Sequence, residues 1–238
     1  LCALLLFGQQ RLLHNKNDLF PVIQKTLGVS KVKVRESIMA KKKKDTMEFR
    51  FYELPQGESA LVLCGESWVR VYGHEELHLH FHNLMEIGIC RQGVGDMYFD
   101  EEVYKYHSGD ITIIPENFPH VTVSDGETTN FWEYIFIDLR SMIETMFPGN
   151  VAFQNDAVSS LSKRAYMTNE RDNHIIAECI NGIIRETNEH KTYSQRAIAL
   201  KVQEIVIELL RHDASLPEEK NNLVKGTNMS QIASALDY

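Results

Sequence analysis

The spacing of three histidines, one glutamate and two glycines between residues 80 and 120 constrains this chain more than any other feature. His80-x-His82-x-x-x-Glu86 is followed by Gly93, and later by Gly109, Pro115 and His120. Successive side chains on a strand point to opposite faces, so His80 and His82 share one face. Glu86 keeps that parity on the next apolar run. His120 belongs to a distant hairpin, and only a closed fold brings it near the others. Three imidazoles and a carboxylate are the donor set a small β-barrel needs to hold a divalent metal at its centre.

The surrounding sequence reads as strands. Short apolar or alternating runs occur at Trp68–Tyr72, Leu77–Phe81, Glu86–Cys90, Asp96–Phe99, Val103–Tyr106, Asp110–Ile114, His120–Val123 and Phe131–Asp138. Gly, Asn, Asp or Pro punctuate them, at Gly73, Gly93 and Gly95, Ser108-Gly109-Asp110, Asn117 with Pro119, and Asp125-Gly126. About eight short, closely spaced strands predict a sandwich or barrel and not βαβ units.

Beyond Pro148 the period changes. Ile175, Ile176, Cys179, Ile180, Ile183, Ile184 and Thr187 form one helical stripe, and Ile198, Val202, Ile205, Val206, Leu209 and Leu210 a second. The short polar stretch His190–Ser194 joins them as an antiparallel hairpin, with Thr168 or Asn169 expected to cap the first helix and Ser194 the second. These stripes either pack on the barrel or pair two copies of the chain. Residues 214–227, with Pro217, a charged run and Gly226, read as a linker, and residues 228–238 as the start of another helix. The expected organisation is a leader (1–46), a barrel (47–148), a helical region (149–213), the linker, and the first turns of a further domain.

Charge divides the chain. Residues 1–46 carry ten Lys/Arg against three Asp/Glu, and residues 47–238 carry 15 against 30. The acidic body repels a phosphate backbone and is not itself a nucleic-acid surface. Lys41–Lys44 has no interleaved aromatics, so the leader reads as solvated or disordered. The chain changes character at Met47, and translation from Met47 or Met39 is the expectation. The apolar run Leu1–Phe7 has no basic segment before it and is too short for a membrane span. Cys2, Cys64, Cys90 and Cys179 are scattered, as expected of reduced thiols in a cytoplasmic protein. No G-x-S-x-G elbow, P-loop or dinucleotide fingerprint is present.

The two halves of the histidine-rich stretch resemble the two cupin motifs. His80-x-His82, Glu86 and Gly93 match the first, while Gly109, Pro115, Asn117 and His120 follow the second. Asn117 stands where glycine is usual, and Ser124 where asparagine is usual. The wider pattern resembles the sensor domain of AraC-type transcription regulators: His80–Gly95 and Tyr104–His120, then Trp132–Asp138 as a closing strand. The helical hairpin is similar to that family's dimerisation element, and Ser230–Tyr238 to the start of its DNA-binding domain. The resemblance covers roughly residues 49–238.

It implies a fold that is mainly β with C-terminal α: a cupin-like double-stranded β-helix, or jelly-roll barrel, followed by an antiparallel helical hairpin. It also implies a non-enzymatic sensor of a small-molecule effector, a sugar or related metabolite. Such a sensor forms a homodimer through the hairpin, meets DNA only in the full-length regulator and has no membrane association. The expected effector contacts are His80, His82, Glu86, His120, Arg50, Trp132 and Tyr134, with Trp68 and Tyr72 as further aromatic faces. Phe49–Leu54 is expected to form an arm over the pocket. No cofactor is required. A divalent metal on His80, His82, Glu86 and His120 is the competing reading, that of a metal-dependent cupin enzyme such as a dioxygenase or sugar isomerase.

Overall fold

The computed structural model describes residues 47–73 and 79–215. The leader up to residue 46, the linker from residue 216 and the further helix expected at 228–238 lie outside the described residues. Two facing sheets form the barrel. The first has the order β1 (Met47–Arg50), β4 (Leu79–His82), β9 (His120–Ser124), β6 (Val94–Phe99), β7 (Glu102–His107). The second runs β11 (Tyr166–Asn169), β8 (Asp110–Ile114), β5 (Met85–Gln92), β10 (Asn130–Ile137), β2 (Leu61–Leu63), and β3 (Val69–Arg70) also pairs with β10. Consecutive strands such as β4 and β5 fall in opposite sheets, which is the jelly-roll crossing that the motif spacing predicts.

Among the described residues four α-helices cover the second sheet: α1 (Leu139–Met146), α2 (Val151–Leu161), α3 (His174–Glu189) and α4 (Ser194–Ala214). Alternation explains how the sheet serves two cores. On β5 and β10, Met85, Ile87, Ile89, Ile135 and Ile137 face outward into a cluster with Ile176, Ile180, Ile183, Val202, Ile205 and Val206 of the helices. Cys90, Trp132, Tyr134 and Phe136, of the opposite parity, face inward with Met97, Phe99 and Tyr106 of the first sheet. Central strands buried on both faces read as continuous apolar runs. Burying the outer isoleucines at about 25 cal/mol per Å² of apolar area is what fixes the hairpin to the barrel.

Three boundaries differ from the sequence reading. Helix begins at Leu139, nine residues before Pro148, because the Asp138 carboxylate accepts from the Ser141 N–H at 3.0 Å and caps α1. The region expected to be helical from 149 also contains a strand: β11 pairs antiparallel with β8, from Tyr166↔Ile113 to Asn169↔Asp110, so the barrel is completed by residues beyond 148. The helix starts shift too. Asn173 occupies the N-cap of α3 without a side-chain hydrogen bond, and Asn169 instead accepts from the Arg171 and Asp172 N–H groups in an Asx turn. Tyr193, at φ 65°, precedes α4, and Ser194 is its first residue.

Two turns show why the motif residues are needed. Asn117 sits at φ 60°, a left-handed conformation asparagine tolerates, and its N–H donates to the His82 carbonyl at 2.7 Å. Gly93 has φ +118°, and a Cβ there would lie 1.7 Å from Asn130 Oδ1.

Candidate functional site

Strand pairing assembles the histidine cluster. His80 lies opposite His120 in the β4–β9 ladder, and the two rings are 4.2 Å apart between centroids. His82 is two residues along β4, with its ring 5.0 Å from that of His120. Glu86 enters from β5 in the other sheet, so the group bridges the barrel. His82, Glu86 and His120 are all buried. Their ligand atoms converge within 4.8 Å of one another. His82 Nε2 stands 3.2 Å and His120 Nε2 3.7 Å from Glu86 Oε2. His80 belongs to the ring cluster but not to this three-residue convergence, so the expected four-residue ligand set contracts to three.

The backbone orients two of the rings. His82 Nδ1 lies 2.6 Å from the Leu84 carbonyl, and His120 Nδ1 lies 2.9 Å from the Phe118 carbonyl. A carbonyl only accepts, so both Nδ1 atoms carry hydrogen. If the rings are neutral, both Nε2 lone pairs then face a carboxylate, and neither Nε2 has a hydrogen-bond partner. Burial works against ionising Glu86, but His120 and His82 outweigh it and hold the carboxyl at about 2. Burial also pushes His80 and His82 down; Glu86 opposes this at His82, while the neighbouring His120 adds to it at His80. A proton or a cation between Glu86 and the two Nε2 atoms would relieve the repulsion between the carboxylate and those lone pairs. Two imidazoles and a carboxylate fixed through their distal nitrogens fit a divalent metal. His82, Glu86 and His120 would hold it, and a bound ion would supply Lewis acidity.

Beside this group a cavity of about 460 Å³ opens between the sheets. Of the expected effector contacts, Arg50, His80, Glu86, His120 and Tyr134 line it, as do Trp68 and Tyr72. Two expected contacts do not. His82 lies behind the wall, fully buried between Tyr52 and Phe136, with ring centroids 5.9 and 5.1 Å away. Trp132 is a core residue with no exposed surface, edge-on to Tyr106 at 5.0 Å and stacked at 6.1 Å behind Tyr134. Trp132 and Tyr134 share a strand face, so alternation places both inward, and only depth along the barrel separates core from cavity.

The arm expected at Phe49–Leu54 is in part a strand of the first sheet, and it contributes to the cavity wall. β1 runs parallel to β4, and Glu48, Arg50, Phe51 and Tyr52 line the cavity. Asn83 anchors the segment: its Oδ1 accepts from the Tyr52 N–H at 2.8 Å and its Nδ2 donates to the Tyr52 carbonyl at 2.9 Å. Arg50 donates twice to Glu48 Oε2, at 2.8 and 3.1 Å. Burial works against the Arg50 charge, and Glu48 more than offsets it. The sequence reading missed Arg70, whose guanidinium lies 4.7 Å from the Trp68 ring centre and 4.8 Å from that of Tyr72. A two-residue strand after a 3-10 turn carries no periodic signal, and an arginine between two aromatics was its only trace.

The family model described as AraC-like ligand binding domain matches residues 69–210. The chain belongs to this family. The match spans β3 to α4, the jelly roll and the hairpin together, so the AraC-like ligand-binding domain includes both the cavity and the helices behind it. Solved structures similar to the chain include the AraC-like transcriptional activator CuxR, with 12% identity over 56% of this chain and 43% of that one, at a TM-score of 0.41. Fatty-acid-bound ToxT of Vibrio cholerae shares 11% identity over 78% of this chain and 71% of its own, at a TM-score of 0.43. A Cupin 2 conserved barrel domain protein of Salinispora arenicola shares 18% identity over 37% of this chain and 71% of its own, at 0.27. The chain spans less than two thirds of the first of these structures. No curated protein sequence matches it. Among the described residues no helix is long and apolar enough to cross a membrane.

Proposed function

We propose that this AraC-like domain is the effector-sensing and dimerisation part of a transcription regulator, and that its effector is a sugar or related metabolite. The observation that carries this reading is the cavity of about 460 Å³, of a size suited to a small molecule and walled by aromatic faces and convergent polar groups. Tyr134 and Phe136 line it from β10, while Ile135 and Ile137 of the same strand pack on the helices. An effector and the hairpin thus touch opposite faces of one strand. A ligand that favours one arrangement of β10 shifts the helices by its differential affinity, and no more than that. The output on DNA belongs to the full-length regulator, and this part acts in the cytoplasm without catalysis. Thermal-shift screening of a sugar and metabolite panel tests the reading. Stabilisation by a panel member, lost in Tyr134→Ala, supports it; a hit unaffected by that change places the ligand elsewhere.

The proposed dimer uses the outward face of the hairpin. The inward stripes are consumed by the barrel, but Leu200 and Ile207, seven residues apart on α4, are 67% and 37% exposed. Light scattering of the wild type and Leu200→Glu checks this, with conversion to monomer as the expected result.

A second reading has a specific observation behind it. The converging Nε2 atoms of His82 and His120 against Glu86 favour a divalent metal, and with it the chemistry of a cupin dioxygenase or sugar isomerase. Metal analysis of purified protein, repeated on His82→Ala, decides between the two. A stoichiometric metal lost in the variant, together with turnover, would overturn the sensor reading.

A further inference from the structure

We propose that the effector is a polyhydroxylated carboxylic acid of monosaccharide size, its carboxylate held by Arg70 and its hydroxyls by the Glu86 end of the cavity. This rests on the effector-pocket reading above and narrows its chemistry. Two arginines line the cavity, and they differ. The Arg50 charge is already taken by Glu48 on the same strand. Arg70 has no carboxylate within ion-pair distance among the described residues. Its guanidinium carbon instead lies over Trp68 and Tyr72, 4.7 and 4.8 Å from the ring centres, which holds the cationic head group at the cavity wall. A planar guanidinium carries five N–H donors in a fork that matches a carboxylate in two parallel hydrogen bonds.

The other pole is an acceptor. Glu86 and His120 line the same cavity and lie on the far side of Tyr134 from Arg70. Along β10 the register separates the poles: Arg70 pairs opposite Asn130, and Glu86 opposite Phe136. Six residues of strand span about 20 Å, a distance that two inward-reaching side chains and one small ligand fill together. A carboxylate such as Glu86 accepts hydroxyl hydrogens and repels a second anion. The ligand therefore carries its charge at one end and its donors at the other. Trp68 packs edge-on to Tyr134 at 5.3 Å between ring centres, which gives the middle of the cavity an aromatic wall for the C–H face of a sugar ring. A neutral sugar leaves Arg70 without an ion-pair partner among the described residues, and a fatty acid leaves Glu86 and the histidines without hydroxyl donors.

Matched pairs test this on the full chain by calorimetry: galacturonate with galactose, glucuronate with glucose, gluconate with sorbitol. The expected result is at least one acid bound tenfold or more tightly than its neutral partner, with Arg70→Gln erasing most of that preference. Arg70 is an exposed side chain, so the variant folds, and an unchanged melting temperature confirms it. Neutral members binding as well as acids, or an acid preference that survives Arg70→Gln, overturns the proposal and keeps the pocket. Binding of an apolar acid alone, blocked by Tyr134→Ala, likewise removes the hydroxylated class but not the pocket. No binding by any acid of the panel overturns the proposal, and failure of the wider metabolite screen as well removes the pocket reading with it.

Discussion

His82 Nε2 stands 3.2 Å from Glu86 Oε2 while the other nitrogen of the same ring is committed to a backbone carbonyl. A lone pair facing a buried carboxylate is repulsive, and either a proton or a cation between them would relieve that repulsion. The substitution Glu86→Gln separates the two candidates, because an amide N–H can donate to that lone pair. Without metal, the variant is expected to melt within about 1 kcal/mol of the wild type. With a divalent metal at a hundredfold excess over Kd, the wild type gains about 2.7 kcal/mol, a rise in Tm on the order of 5–10 °C. Loss of that rise in Glu86→Gln identifies a cation as the occupant, and equal melting with and without metal leaves a proton.

Asn83 governs this segment of the cavity wall. Its side chain makes two hydrogen bonds to the Tyr52 backbone, and β1, just before it, is an edge strand that among the described residues pairs with β4 alone. Asn83→Ala removes about 1 kcal/mol for each bond, and the loss falls on local opening and not on the barrel. The expected outcome is faster amide exchange across residues 47–52, by roughly thirtyfold for about 2 kcal/mol, with β5 and β10 protected as before. Uniform loss of protection would mean that this segment and the barrel open as one unit.

Much of this architecture was legible in the chain, and the reasons are physical. The His80, Glu86, Gly93, Gly109 and His120 spacing works because each residue meets a need that few others satisfy. Gly93 has Asn130 where a Cβ would be, and His120 must fall opposite His80. The hairpin stripes were legible because burying one helix face demands the 3.6-residue period. What escaped depends on partners distant in sequence. The four residues of β11 have no alternation of their own and become a strand only because β8 offers an open edge. Trp132 and Tyr134 obey the same alternation, and the cavity stops between them. Arg70 has no motif around it, and its role follows from two rings that the fold brings beneath it.

The buried Asn130 side chain is a structural keystone whose replacement should be felt throughout the barrel. Its Nδ2, with two hydrogens to share, lies within hydrogen-bond distance of the Val94 carbonyl, the Tyr106 hydroxyl and Ser124 Oγ, and its Oδ1 accepts from the Val94 N–H. Ser124 Oγ in turn accepts from the Tyr72 N–H at 2.9 Å, so the network ties β6, β7, β9 and β10 to the strap carrying Tyr72. Asn130→Ala strands several buried polar groups at once, at a cost of about 3 kcal/mol. For a domain of this size Tm should fall by about 6–12 °C. Asn130→Asp should cost a comparable amount, because a carboxylate cannot donate to the Val94 carbonyl and is a buried charge without a cationic partner among its contacts. A fall of under 2 °C in both variants would show that the network is not what holds these strands in register.

His212 supplies a pH dependence separate from the histidine cluster. Near the end of α4 its ring stacks on Tyr166 of β11, at 4.9 Å and 14° between planes. Burial first, and then Arg164, lowers its pKa from the ordinary 6.5. A histidine whose folded pKa is depressed binds a proton more readily when unfolded. Its contribution is therefore fully present above the unfolded value near 6.5 and is lost as pH falls through the lower folded value. His212→Phe keeps a ring over Tyr166 and removes the titration. Melting at pH 8 and pH 5 should show the wild type losing more stability on acidification than His212→Phe does. Equal losses in the two proteins would mean that this ring is as readily protonated in the fold as in the unfolded chain.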